Sequence, residues 1–83
     1  MSPHPSGLLP NLGPALRLLR DERGLTQRTL ARAADLSKSQ VSAYERSRRR
    51  PSLASLDRLL TALSSDLADL QHAIDRTRRP GRP

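Results

Sequence analysis

Apolar residues recur at helical spacing along most of the chain. Leu12, Ala15, Leu16 and Leu19 fall at i, i+3, i+4 and i+7 and give one apolar face to a helix over about Leu12 to Arg23. Asn11 is placed to cap it, Pro14 is tolerated in its first turn, and Gly24 stops it by admitting a left-handed conformation. Thr26 caps a second helix, from Gln27 to about Ala34, that buries Leu30, Ala31 and Ala34. Ser37 with Gln40 forms a capping box, S-x-x-Q, before a third helix from Lys38 to about Arg46 that buries Val41 and Tyr44. Ser52 caps a fourth helix whose stripe is Leu53, Leu56, Leu59, Leu60 and Leu63. Asp66 caps a fifth, where Leu67, Leu70 and Ile74 continue the core. Nowhere do apolar and polar residues alternate as a strand requires. The predicted fold is therefore all-α, a compact five-helix domain over residues 11–76. It is flanked by a proline-rich arm (1–10), expected to be disordered, and a basic, flexible tail (77–83).

Composition narrows the partner. The 83 residues carry 15 Lys+Arg against 8 Asp+Glu, a formal net charge of +7. All the basic residues but Lys38 are arginine, whose planar fork of donors suits phosphate and guanine edges. A small, strongly basic domain points to a polyanion, most often nucleic acid. Tyr44 is the only aromatic residue, so platforms that stack single-stranded bases are disfavoured, whereas a helix inserted into a duplex needs no aromatic. The chain has no cysteine, which excludes disulfides and thiolate metal sites and fits a reducing cytoplasm, the expected location. No apolar run approaches the roughly 20 residues of a membrane span, and "MSPHPSG" lacks the basic and apolar regions of a signal peptide. His4 and His72 have no second ligand nearby; His72 and Asp75 read as a surface pair one turn apart. No nucleophile stands beside a base and no glycine loop is built to cradle phosphate, so neither an enzyme nor a cofactor or metal is expected.

The stretch "LTQRTLARAADLSKSQVSAY" places two short helices end to end at Asp35 and Leu36. Such helices cross steeply when their contact is small, and Ala31 supplies that contact while Leu36 plugs the turn. With Val41 and Tyr44 turned inward, the third helix presents Lys38, Ser39, Ser42, Ala43 and Arg46 outward. These side chains are short, polar or basic, a surface that suits a major groove.

The segment "GLTQRTLARAADLSKSQVSAYERSRRRPS" resembles the helix-turn-helix of the phage repressor and Cro family, also called the XRE family. Gly24-Leu25-Thr26-Gln27 matches the entry to the second helix, Ala31 the small mid-helix position, Val41 the branched core position, and Tyr44-Glu45-Arg46 with the basic loop and Pro51-Ser52 the exit. The likeness extends over about Leu12 to Ile74. The family usually has glycine where this chain has Asp35, at a turn position that often needs positive φ, which costs of order 1 kcal/mol here.

The resemblance implies a DNA-binding transcriptional regulator, most simply a repressor, acting as a homodimer on double-stranded operator DNA. It implies that Gln27 bonds a phosphate and braces the third helix's contacts with the bases; an exposed helix-start residue is the alternative. It implies that Arg20 and Glu45 form a partly buried structural ion pair linking the first and third helices. It also places the dimer surface on the fifth helix and the end of the fourth, although Leu67 and Leu70 are equally readable as internal.

From the residues themselves, Lys38, Ser39, Ser42 and Ala43 are the base-edge readers; for Lys38, contact with phosphate alone is the alternative. Thr26 and Ser37 place hydroxyls and free N–H groups at helix starts, where anions bind as readily as caps form. Arg48, Arg49 and Arg50 form a phosphate clamp or a solvated loop, Arg28 is placed to join them, and Arg46 is open to either task. The tail "RRPGRP" reads as an incomplete minor-groove hook or a plain electrostatic arm. Two further functions stay open: an antitoxin or partner-binding module of the same fold that grips a toxin or co-regulator while repressing its own operon, and a nonspecific architectural DNA protein.

Overall fold

The computed structural model describes residues 11–78. Five helices follow in order: α1 (Leu12–Glu22), α2 (Gln27–Ala33), α3 (Lys38–Glu45), α4 (Leu53–Ala62) and α5 (Leu67–Arg78). The predicted arm and the end of the basic tail lie outside the described residues, while Thr77 and Arg78 belong to α5 rather than to a tail.

Three of the links between helices repeat one design: a C-cap residue, a left-handed residue, a residue whose amide reaches back, and an N-cap. In residues 23–26 Gly24 is left-handed at φ 71° and the Leu25 amide donates to Arg20 O at 3.1 Å. In residues 34–37 Asp35 takes φ 58° and Leu36 donates to Ala31 O at 2.8 Å. In residues 63–66 Ser64 takes φ 54° and Ser65 donates to Leu60 O at 2.9 Å. The end of α3 closes likewise, with Ser47 at φ 61° and Arg48 donating to Ala43 O at 2.9 Å. This double back-bonding satisfies carbonyls that a helix end would otherwise leave open.

The starts are satisfied by side chains. Thr26, Ser37, Ser52 and Asp66 accept from the amides of Thr29, Gln40, Ser55 and Asp69 at 2.9–3.0 Å. Gln40 Oε1 completes the capping box by accepting from the Ser37 amide at 2.9 Å. Asn11 departs from expectation: it occupies the N-cap position of α1 but is left-handed at φ 63°, and its side chain makes no cap bond.

The core is one cluster. Leu12, Ala15, Leu16 and Leu19 of α1 meet Leu30, Ala31 and Ala34, Val41 and Tyr44, Leu56, Leu59, Leu60 and Leu63, and Leu70, Ala73 and Ile74. Two expected core residues are not in it: Leu53 is 83% exposed and Leu67 is 69% exposed. Each is the first residue of its helix, before the chain has turned its face to the core, so periodicity places them correctly on a stripe whose end runs past the interior.

α1 comes very close to the end of α3. A Cβ at Gly13 would lie 2.5 Å from Tyr44 O, 2.7 Å from Glu45 O and 2.8 Å from Ser47 Oγ, so glycine is needed there for backbone approach. Among the described residues no helix is long and apolar enough to cross a membrane.

Candidate nucleic-acid interface

The face of α3 turned away from the core carries the residues the sequence singled out. Lys38 and Ser39 are exposed, Ser42 and Ala43 half-buried, and Arg46 exposed just beyond the helix end. With Arg48 they line one open recess of about 250 Å³. No carboxylate lines it. Lys38, Arg46, Arg48, Arg49 and Arg50 make no salt bridge with any described residue, so their charges are free to meet an anion. The amides of Arg48 and Arg49 both donate to Ala43 O, at 2.9 and 3.4 Å, which folds the basic loop back against the end of α3. Arg50 is exposed in the same loop, and Arg28 is exposed in the first turn of α2. The hydroxyls of Thr26 and Ser37 are engaged as caps.

The one acid between Lys38 and Arg50, Glu45, is withdrawn from the surface. The Glu45 side chain is 3% exposed and that of Arg20 12%. Arg20 Nε donates to Glu45 Oε2 at 2.6 Å and Nη2 to Oε1 at 3.1 Å, a bidentate fork from α1 to the last residue of α3. Arg20 Nη1 also donates to Leu25 O at 2.7 Å, in the link to α2. The hydrogen bond with Glu45 holds the Arg20 guanidinium above its ordinary range; burial opposes this, and the nearby charges of Glu45 and Asp21 add to it. Gln27 Nε2 donates to Glu45 Oε1 at 2.9 Å, so the side chain expected at phosphate braces α3 at its C-terminal end.

Sequence reasoning missed Arg23. Its Nε donates to Leu63 O at 2.8 Å and its Nη2 to Ser65 Oγ at 2.7 Å, tying the end of α1 to the turn between α4 and α5. The partners are 40 and 42 residues away in the chain and one of them is a backbone carbonyl, so no local pattern signals the contact.

An N-capped helix set against a second across a short left-handed turn, with a basic, acid-free outer face, defines a helix-turn-helix domain. The helix-turn-helix family model matches residues 16–70. The chain belongs to this family, in its XRE branch, and is a DNA-binding transcriptional regulator. Among solved structures it is similar to the restriction-modification controller protein C.AhdI from Aeromonas hydrophila, at 40% identity over 75% of this chain and 94% of that one, with TM-score 0.70. It is also similar to the clp gene regulator ClgR from Corynebacterium glutamicum, at 31% identity over 96% of this chain and 100% of that one, with TM-score 0.78. The wild-type restriction-modification controller protein C.Esp1396I is 25% identical over 89% of this chain and 97% of that one, with TM-score 0.74. No protein of curated function matches the sequence.

Proposed function

We propose that the protein is a cytoplasmic, sequence-specific repressor that inserts α3 into the major groove of double-stranded DNA. Lys38, Ser39, Ser42 and Ala43 read base edges: Lys38 donates to guanine O6 or N7, and Ala43 touches a thymine methyl. Thr26, Gln27, Arg28, Ser37, Arg46, Arg48, Arg49 and Arg50 hold the phosphates on either side. Arg20 and Glu45 keep α3 at its angle. The observation that carries this reading is the acid-free recess along α3, with α3's own carboxylate, Glu45, buried under Arg20.

The protein acts as a two-fold dimer, with half-sites about 34 Å apart. The dimer surface is the apolar groove of about 490 Å³ that Leu53, Leu56, Leu60 and Leu67 line on α4 and the turn into α5. It shares no residue with the α3 recess, so both surfaces can be occupied at once. The similarity to a controller protein of a restriction-modification system and to a regulator of clp genes fits such a role. The same groove also supports a second reading, in which it receives a toxin or co-regulator while α3 holds the DNA.

Selection of preferred sites from random duplex DNA, at a stated salt concentration, tests the proposal. An enriched inverted repeat bound at least about a thousandfold more tightly than random sequence is expected. Uniform binding to all sequences would instead mark an architectural DNA protein. A single unpaired half-site would remove the dimer and leave the groove to another partner.

A further inference from the structure

The recognition helix and the apolar groove hardly touch. α3 packs mainly on α1 and α2, whereas the groove is built from α4 and the turn into α5. The last turn of α1 reaches both. Arg20 grips Glu45 at the end of α3, and three residues on, Arg23 grips the α4–α5 turn. Arg23 Nε meets Leu63 O, a carbonyl at the end of α4 that lies beyond the helix's own hydrogen bonding, and the cation complements the negative end of the helix dipole. Arg23 Nη2 meets Ser65 Oγ, which donates onward to Leu63 O at 3.1 Å. This closed set of bonds spans Ser64, the left-handed residue of the turn, and Ser65 itself lines the groove. A second tie, Arg76 Nη1 to Glu22 Oε2 at 2.7 Å, joins the same end of α1 to α5.

We propose that Arg23 is a positioning residue that fixes the groove relative to α3 and so sets the spacing of the two half-sites a dimer accepts. This rests on the reading of the groove as the dimer surface. One base pair more or less moves a half-site by about 3.4 Å and turns it by about 35°, so spacing tolerance reports how rigidly each copy holds its recognition helix against the other. Removing Arg23 leaves the outer face of α3 intact; the geometry between copies loosens.

The test uses the inverted repeat selected by the wild-type protein, at its selected spacing and one base pair longer or shorter, together with an isolated half-site. Wild type, Arg23→Ala, Arg23→Lys and Ser65→Ala are titrated at one salt concentration. Wild type is expected to prefer its own spacing by about tenfold or more, and Arg23→Ala to fall to about threefold or less, while half-site affinity changes less than about twofold. Arg23→Lys, which keeps the charge but not the fork, falls between them. Ser65→Ala removes one bond of the set and shifts the preference in the same direction by less.

Wild-type discrimination in Arg23→Ala overturns the inference, as does a loss of half-site binding as large as the loss of discrimination. If Arg23→Ala does not fold, the lysine and serine variants decide: wild-type discrimination in both overturns it. A wild-type protein with no spacing preference overturns the dimer reading itself, a result distinct from either of these.

Discussion

The surface around α3 and the surface between α4 and α5 are made by the same local devices and end as chemical opposites. Each begins with a hydroxyl or carboxylate cap and follows a left-handed turn residue. Around α3 the outward positions are Lys38, Ser39, Ser42 and Arg46, and the helix's own acid, Glu45, is buried. Between α4 and α5 the exposed apolar residues are Leu53 and Leu67, core leucines Leu56 and Leu60 line the groove beside them, and its charged residues are Asp57 and Asp66. Capping and periodicity therefore fix where each helix runs; the few residues on its outer stripe decide what it meets. By charge alone the α3 surface suits phosphate and the groove does not. In the proposed reading, DNA contact and protein contact therefore fall on separate faces of one domain.

The largest effect should come from breaking the brace behind α3. Glu45→Ala leaves the Arg20 guanidinium mostly buried without its fork and frees Gln27. Denaturant titration should register a loss of about 3 kcal/mol; a loss within about 0.5 kcal/mol, typical of surface changes, would show that the brace holds nothing. Next comes Gly13→Ala. Alanine is the better helix former by about 1 kcal/mol, yet its Cβ would press on the Tyr44 and Glu45 carbonyls, so a net loss of about 1–3 kcal/mol is expected. A stabilised variant would mean that α1 and α3 can separate freely.

The groove should respond differently. Leu67→Asp changes a residue that is 69% exposed, so monomer stability should hold within about 0.5 kcal/mol. Sedimentation should nevertheless show association weakened about tenfold or more. Unchanged association would move the dimer surface elsewhere. The smallest effect is at the left-handed turn before α3. Asp35→Gly removes the cost of a left-handed side-chain-bearing residue at φ 58° and should stabilise by about 0.5 kcal/mol, read as a small rise in thermal midpoint.

Most of the fold was legible because it rests on local chemistry. Thr26, Ser37, Ser52 and Asp66 each announce a helix start, and leucines at i, i+3, i+4 and i+7 announce the buried face. Asp35 was legible as a left-handed turn residue because the family's glycine position falls on it. What could not be read are facts of tertiary distance. Leu53 and Leu67 belong to apolar stripes, and only the packing of neighbouring helices shows that the stripe extends beyond the core. Gly13 looks like a weak point in a helix until the end of α3 is brought against it. Arg23 sits between Glu22 and Gly24 like any surface arginine, and its partners are a distant carbonyl and a distant serine. The outward face of α3 was legible as a set, since Lys38, Ser39, Ser42, Ala43 and Arg46 share one side of it and line one recess. Gln27's bond to Glu45 was not, because it depends on where α2 starts relative to where α3 ends.

The central claim is that the outer face of α3 reads bases while the arginine loop after it holds the backbone. Titration of the selected duplex and a random duplex with Lys38→Ala and Arg49→Ala, over a range of salt concentrations, tests it most directly. Lys38→Ala should relax preference at one base position at a cost of about 1–3 kcal/mol on the selected site, and Arg49→Ala should weaken both duplexes alike and lower the salt slope by about one. Equal weakening of both duplexes by Lys38→Ala, with selectivity lost instead in Arg49→Ala, would contradict it.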